Sequence, residues 1–213
     1  MKTILIQPKD YYPTNRPMLS ELFNKELVKK NFKTIWLMNR ENCKDDYCMT
    51  KWNNSKTYLN CFDSYVSDIN LKNFFMFYYK KLKLSLYLLK REKIDIFVSH
   101  DSVNEGFLLY LFSRYFKKPF VFVNTAPLNE IEEDYANSLQ GKTKYLRKIR
   151  LFFNKILTHF LYNKAKIIHP ISNEMALNFI SSNNLTKCVP ISESASNLFL
   201  KFKVVNKIPN SIF

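Results

Sequence analysis

Glycine is nearly missing from this 213-residue chain: it occurs twice, at Gly106 and Gly141. A G-x-G-x-x-G dinucleotide fingerprint is therefore excluded, and so is a Walker phosphate loop. Cysteine and histidine are sparse as well, with four and three copies. Cys43, Cys48, Cys61 and Cys188 form no C-x-x-C pair and have no cluster of histidines beside them. A metal site is not expected from such a pattern, and isolated cysteines suit a reducing cytosol. No apolar run is long enough to span a bilayer. The chain starts directly into Thr3-Ile4-Leu5-Ile6, so no secretory leader is expected. The expected location is cytoplasmic, with peripheral attachment at the inner face of the plasma membrane left open.

Negative charge is also short: 18 Asp and Glu stand against 33 Lys and Arg, a net charge of +15. Such a field draws nucleic acid, an anionic membrane or phosphorylated ligands. The plainer account is a compositional bias toward Lys and Asn. No helix-turn-helix, zinc motif or aromatic ribonucleoprotein motif accompanies the charge, so a nucleic-acid partner is not expected.

What is present is a core-forming chain, 46% hydrophobic and 16% aromatic. Strand-like and helix-like segments alternate along it. Residues 3–7, 33–38, 94–99, 119–123 and 165–171 read as strands, with a weaker one at 57–62 and a last short one at 187–191. Helical spacing runs over 17–31, 68–91, 103–116, 143–164 and 173–182. Residues 41–56 read as irregular and 127–141 as an acidic loop. Strands separated by helices of this length predict an α/β fold: a Rossmann-like, doubly wound, mostly parallel sheet with helices on both faces.

In such a sheet, ligands bind beyond the carboxyl ends of the strands. The loop after 94–99 carries His100 and Asp101, with Asn104 and Glu105 close behind. His100 could meet a sugar hydroxyl or a phosphate oxygen, with Asp101 orienting it; equally, it could serve the local cap of the next helix. The first loop holds Asn15 and Arg16 before Pro17, at a helix N-terminus that favours an anion. Arg16 adds a bidentate phosphate donor, or pairs with Glu21 on the surface. Asn124 and Thr125 follow the 119–123 strand as neutral hydrogen-bonders. Ser172 and Asn173 are read as a helix cap, and His159 and His169 as structural.

The 143–164 helix carries a second signal. Eight Lys or Arg and no acid occur from Lys142 to Lys166 inclusive. Leu146, Ile149, Phe153, Ile156, Leu157 and Phe160 share one side and are assigned to the core. Lys144, Arg147, Lys148, Arg150 and Lys155, with an exposed Leu151, are the candidate contacts to anionic headgroups. An ordinary core helix with a solvated basic side fits as well. Residues 72–91 are likewise basic, apolar and free of acid.

The order of these segments resembles the N-terminal domain of the large retaining glycosyltransferase family 4, of GT-B architecture. The carrying stretches are Pro13-Thr14-Asn15-Arg16, then Lys30 to Ile35 with Asn31-Phe32 at the usual glycine turn. Ile94-Asp95-Ile96-Phe97-Val98-Ser99-His100-Asp101 and Lys118-Pro119-Phe120-Val121-Phe122 follow. Lys164 to Ser172 and Asn183 to Ile191 complete the set, with Ser192-Glu193-Ser194-Ala195 at the place of the family's Ile-Pro-Asn-Gly turn.

This resemblance implies an acceptor-side domain over residues 1–196, with 197–213 a linker or the start of a missing C-terminal donor domain. It implies transfer of a sugar from a nucleotide-sugar to a cell-surface polysaccharide or lipid-linked glycan. His100 would lie near the reacting sugar, and Arg16 near the donor phosphates. No cofactor is implied beyond the nucleotide-sugar substrate. The family's Gly-Gly pair and its glutamate-bearing donor motif have no counterpart here, so the chain alone is expected to be inactive and to need a donor domain or partner subunit. The rival expectation is a non-catalytic basic module that binds a membrane surface or a partner.

Overall fold

The computed structural model describes residues 1–9, 11–13, 27–41, 47–52, 55–62, 71–124, 128–170 and 187–188. Phe62, 71–74 and 128–132 are described by backbone alone. Residues 17–26 of the expected 17–31 helix, the expected 173–182 helix and nearly all of the 187–191 strand lie outside these residues, as does the expected linker 197–213.

Among the described residues, seven strands make one sheet: β1 (Lys2–Pro8), β2 (Phe32–Glu41), β3 (Tyr47–Trp52), β4 (Ser55–Phe62), β5 (Ile96–His100), β6 (Phe120–Asn124) and β7 (Ile167–Pro170). Their lateral order is β3-β4-β2-β1-β5-β6-β7. All pairings are parallel except β3 with β4. With the antiparallel edge strand set aside, the six parallel strands run third, second, first, fourth, fifth, sixth. That is the doubly wound Rossmann order.

The parallel strands are apolar along both faces because both faces are covered. Alternation sends Leu5, Ile35, Leu37, Phe97 and Phe122 to one side and Ile4, Ile6, Trp36, Met38, Val98 and Val123 to the other. The first side packs on α2 (Leu71–Arg91) through Leu84 and Leu88, on α3 (Val103–Tyr115) through Leu109 and Phe112, and on α5 (Gly141–Lys164) through Leu161 and Tyr162. The second side meets Leu27 of the short α1 (Leu27–Lys29) together with Tyr12. There Trp36 and Trp52 meet edge to face, ring centroids 4.8 Å apart.

Glycine-poor turns use other residues in left-handed backbone. Asn31, at φ 61°, lies between α1 and β2, where the family pattern has glycine, and its N–H donates to Val28 O at 3.0 Å. Asparagine tolerates that conformation through its short polar side chain. Gly141 (φ 60°) opens α5.

Several expectations change. Residues 127–141 are not a loop: α4 (Leu128–Ser138) is a helix lying against α5. Residues 41–56 contain β3, which pairs from Tyr47↔Asn60 to Trp52↔Ser55. On α5, Leu151 is buried while Ile149, Phe153 and Ile156 are exposed, against their assignment, whereas Phe160 does pack on the core. His159 is exposed on α5 and His169 half-buried in β7. Cys61 is disulfide-bonded, whereas Cys48 and Cys188 are free thiols, so the four isolated thiols expected from spacing are not what forms.

Candidate functional site at the strand-order switch

The strand order reverses between β1 and β5. Their carboxyl ends are in register there, Gln7 with Ser99 and Pro8 with His100. The Lys9 N–H donates to His100 O at 2.9 Å, which carries the pairing one residue past the strand. His100 thus closes β5 at the position where open α/β sheets leave a crevice.

From there the chain turns sharply. Asp101 takes φ 54°, and its N–H reaches across to Val123 O of β6 at 2.8 Å. His100 Nδ1 and Asp101 Oδ2 stand 3.4 Å apart, a loose contact between two fully buried side chains. Beyond them, Ser99 Oγ donates to Ser102 O at 2.8 Å, and Ser102 is the residue just before α3.

Glu105, in the first turn of α3, is buried in a polar network. Ser102 Oγ donates to its Oε2 at 2.5 Å and Asn39 Nδ2 to its Oε1 at 3.0 Å. Lys81 Nζ of α2 donates to the same Oε1 and, at 2.9 Å, to Asn39 Oδ1. Burial alone would raise the Glu105 carboxyl; the Lys81 charge and these hydrogen bonds outweigh it and hold the group below the usual carboxylate range. Tyr78, one turn before Lys81, has its hydroxyl pushed up by burial and by the Glu105 charge, and it hydrogen-bonds Asn104.

Asn124 ends β6, and its Nδ2 donates to the Tyr162 hydroxyl of α5 at 2.8 Å. Burial raises the Tyr162 hydroxyl, while that hydrogen bond opposes the rise. Gln7 and Asn60 are buried on the same side of the sheet, and their side-chain amides have no hydrogen-bond partner among the described residues.

The structure therefore gathers His100, Asp101, Asn104, Glu105 and Asn124 around the ends of β5 and β6. Asn15, Arg16 and Thr125, and the capping pair Ser172 and Asn173, lie outside the described residues. Sequence reading missed Lys81, Asn39, Tyr78 and Tyr162. Lys81 could have been found, since it falls three and seven residues before Leu84 and Leu88 on the inward stripe of α2. Among the described residues, no three His, Cys, Asp or Glu side chains converge as metal ligands would.

The five basic residues named on α5 divide. Lys155 pairs with Glu133 of α4 at 2.6 Å, and the Arg147 guanidinium lies 4.8 Å over the Tyr135 ring. Lys144 Nζ donates to Asn137 O at 3.3 Å. Three of the five thus turn to α4; Lys148 is exposed and Arg150 half-buried.

Topology and site together define a Rossmann-like domain with a polar cluster at its switch point. No protein-family model and no curated protein matches the sequence. Among solved structures, one shares its fold and another resembles it more weakly. One is of trehalose-6-phosphate from E. coli, bound with UDP-2-fluoro glucose: TM-score 0.50, 12% identity, 84% of this chain and 42% of that one covered. Another is MurG of Acinetobacter baumannii: TM-score 0.40, 13% identity, 80% of this chain and 41% of that one covered. The likeness is one of fold, GT-B-like, and this chain spans less than half the length of either structure.

Proposed function

We propose that this chain is the acceptor-side domain of a nucleotide-sugar-dependent glycosyltransferase, acting on a cell-surface polysaccharide or lipid-linked glycan. The observation that carries the reading is the place of His100: it ends β5 beside Pro8 of β1, where the strand order reverses. The GT-B-like fold agrees with it.

In this reading a donor half supplies the nucleotide pocket, and this half orients the acceptor hydroxyl. His100 hydrogen-bonds the reacting sugar or takes the hydroxyl proton, with Asp101 beside its Nδ1. Arg16 and Asn15 face the departing diphosphate, and the surplus of cations stabilises the charge that develops there. His100 is fully buried at the end of β5. Asn104, Asn124 and Thr125 bind hydroxyls, while Glu105, tied to Lys81, acts as a support rather than a ligand.

Thermal shift against uridine, guanosine and cytidine nucleotide-sugars tests the proposal, on the chain alone and joined to the sequence that follows it in its gene. Stabilisation of the longer protein by one donor class is expected, with none for the chain alone. No shift of either protein with any donor would overturn the reading.

A non-catalytic, surface-binding role is the second reading. It is favoured by the exposed apolar side of α2, a helix that carries lysines and no acid.

A further inference from the structure

α2 is apolar on two sides. Its inward stripe packs Leu84 and Leu88 on the sheet. Its outward stripe carries Phe75, Tyr79, Leu82 and Leu86, spaced at three and four residues, with Met76 beside them. Phe75 is 67% exposed and Tyr79 54%. A surface helix that packs one side on a core ordinarily turns polar groups outward. Here large apolar groups face out instead, over a 21-residue helix that is about 30 Å long.

Charge flanks that stripe through Lys83, Lys90 and Arg91. α2 contains no acid, and its buried lysine, Lys81, is held inside by Glu105. The next acid in sequence, Glu92, is held by Lys33 at 3.0 Å and Lys56 at 2.7 Å. Between α2 and the edge strand β3 runs an open groove of about 370 Å³, lined by Tyr47, Lys80, Lys83, Leu86, Tyr87 and Lys90. The Tyr47 and Tyr87 rings stand 5.5 Å apart at its wall, and the Arg91 guanidinium lies 4.3 Å over Tyr87. Lysines and phenols around an apolar floor suit a phosphate attached to something greasy.

We propose that α2 and the α2–β3 groove form a docking site for an anionic phospholipid surface. The headgroup phosphate enters between Lys80, Lys83 and Lys90, and Phe75, Tyr79, Leu82 and Leu86 enter the acyl boundary. Charge complementarity selects this occupant. A second copy of a chain carrying +15 repels the first, and a nucleic-acid backbone leaves the apolar stripe unused. α5 is the poorer candidate because Lys144, Arg147 and Lys155 turn to α4. This site does not depend on the glycosyltransferase reading.

Vesicle co-sedimentation of the whole chain tests it, with phosphatidylcholine alone and mixed with phosphatidylglycerol. Binding is expected only to the mixed vesicles. At the cost typical of a lysine near an anionic surface, Lys83→Glu with Lys90→Glu lowers affinity by at least about tenfold. Phe75→Ser with Leu82→Ser lowers it too, with circular dichroism unchanged in both variants. The pair Lys142→Glu and Lys148→Glu on α5 makes the same change in net charge and is expected to cost less than about threefold. Equal loss in the α5 pair would make binding a matter of net charge and overturn the site. Equal binding to neutral vesicles, or to none, would also overturn it. So would thermal stabilisation by free pyrophosphate, abolished in the Lys83/Lys90 variant, without vesicle binding. Nucleotide-sugar stabilisation is scored separately, so either reading can fail alone.

Discussion

Gly106 of α3 lies so close to β5 that a methyl group on it would stand 2.7 Å from Ser99 Oγ and 3.3 Å from a Leu161 methyl. One of the chain's two glycines thus sets the approach of α3 to the sheet, one turn past His100. Ser99 cannot easily yield, because its hydroxyl is held by Ser102 O. Gly106→Ala is expected to cost about 1–3 kcal/mol by overpacking, measured by urea denaturation. Ser99→Gly removes both the hydroxyl and the Cβ that crowd the site, so the double variant should recover part of that loss. Simple additivity of the two changes would show that the crowding is not real.

Lys81 and Glu105 form a buried pair from different helices. Lys81→Met strands a carboxylate inside the protein and is expected to cost about 3–5 kcal/mol. Adding Glu105→Gln leaves an amide that Ser102 and Asn39 can still meet, and should restore a measurable share. A double-mutant cycle read by denaturant midpoint checks this. A coupling near zero would mean that the two groups do not interact.

Glu92 gathers Lys33, Lys56 and the Tyr58 hydroxyl, the last at 3.1 Å. Burial acts to raise its carboxyl, but the hydrogen bonds from Lys56 and Lys33 prevail and lower it. A depressed folded value means stability that is present above the unfolded value of about 4.3 and lost as pH falls through the folded one. Glu92→Gln should therefore destabilise the protein near neutral pH by about 1 kcal/mol, a modest figure because both lysines are partly solvated. Melting curves from pH 7 down to pH 3 should show the variant and parent converging at the acid end. Parallel curves would contradict this sign.

Tyr58 itself is pushed up to about 12, first by burial and then by the Glu92 charge. Ultraviolet titration should show the parent and Tyr58→Phe ionising the same number of phenols between pH 9 and pH 11. If Tyr58→Phe instead removes a phenol that ionises in that range, the Glu92 cluster is open to solvent.

His100→Asn keeps a buried hydrogen-bonding group while removing the proton-transfer base. In the protein that includes the donor half, transfer should fall about 100-fold or more, as general acid–base losses do. Donor-induced thermal stabilisation should survive. Retained transfer would leave His100 as only a structural end to β5.

Much of this fold was legible in the chain. β1, β2, β5 and β6 announce themselves as apolar runs because a parallel strand covered on both faces can hold little else. α4 was not legible: its Glu and Asp residues look like a loop. What makes it a helix is its seat on α5, where Ala136 is buried and Glu133 and Tyr135 meet Lys155 and Arg147. β3 was hidden because an edge strand alternates exposed and half-buried residues and depends on β4 for its pairing. Lys81 looked like one more surface cation.

By itself the sequence determined which segments are strands or helices of an α/β domain and that His100 stands at a strand's end. Those properties follow from neighbours a few residues apart. Only the tertiary structure decided that β5 lies beside β1, that Lys81 faces Glu105, and that Lys144, Arg147 and Lys155 of α5 turn to α4. Those depend on crossovers that bring together residues tens of positions apart, which no local period encodes.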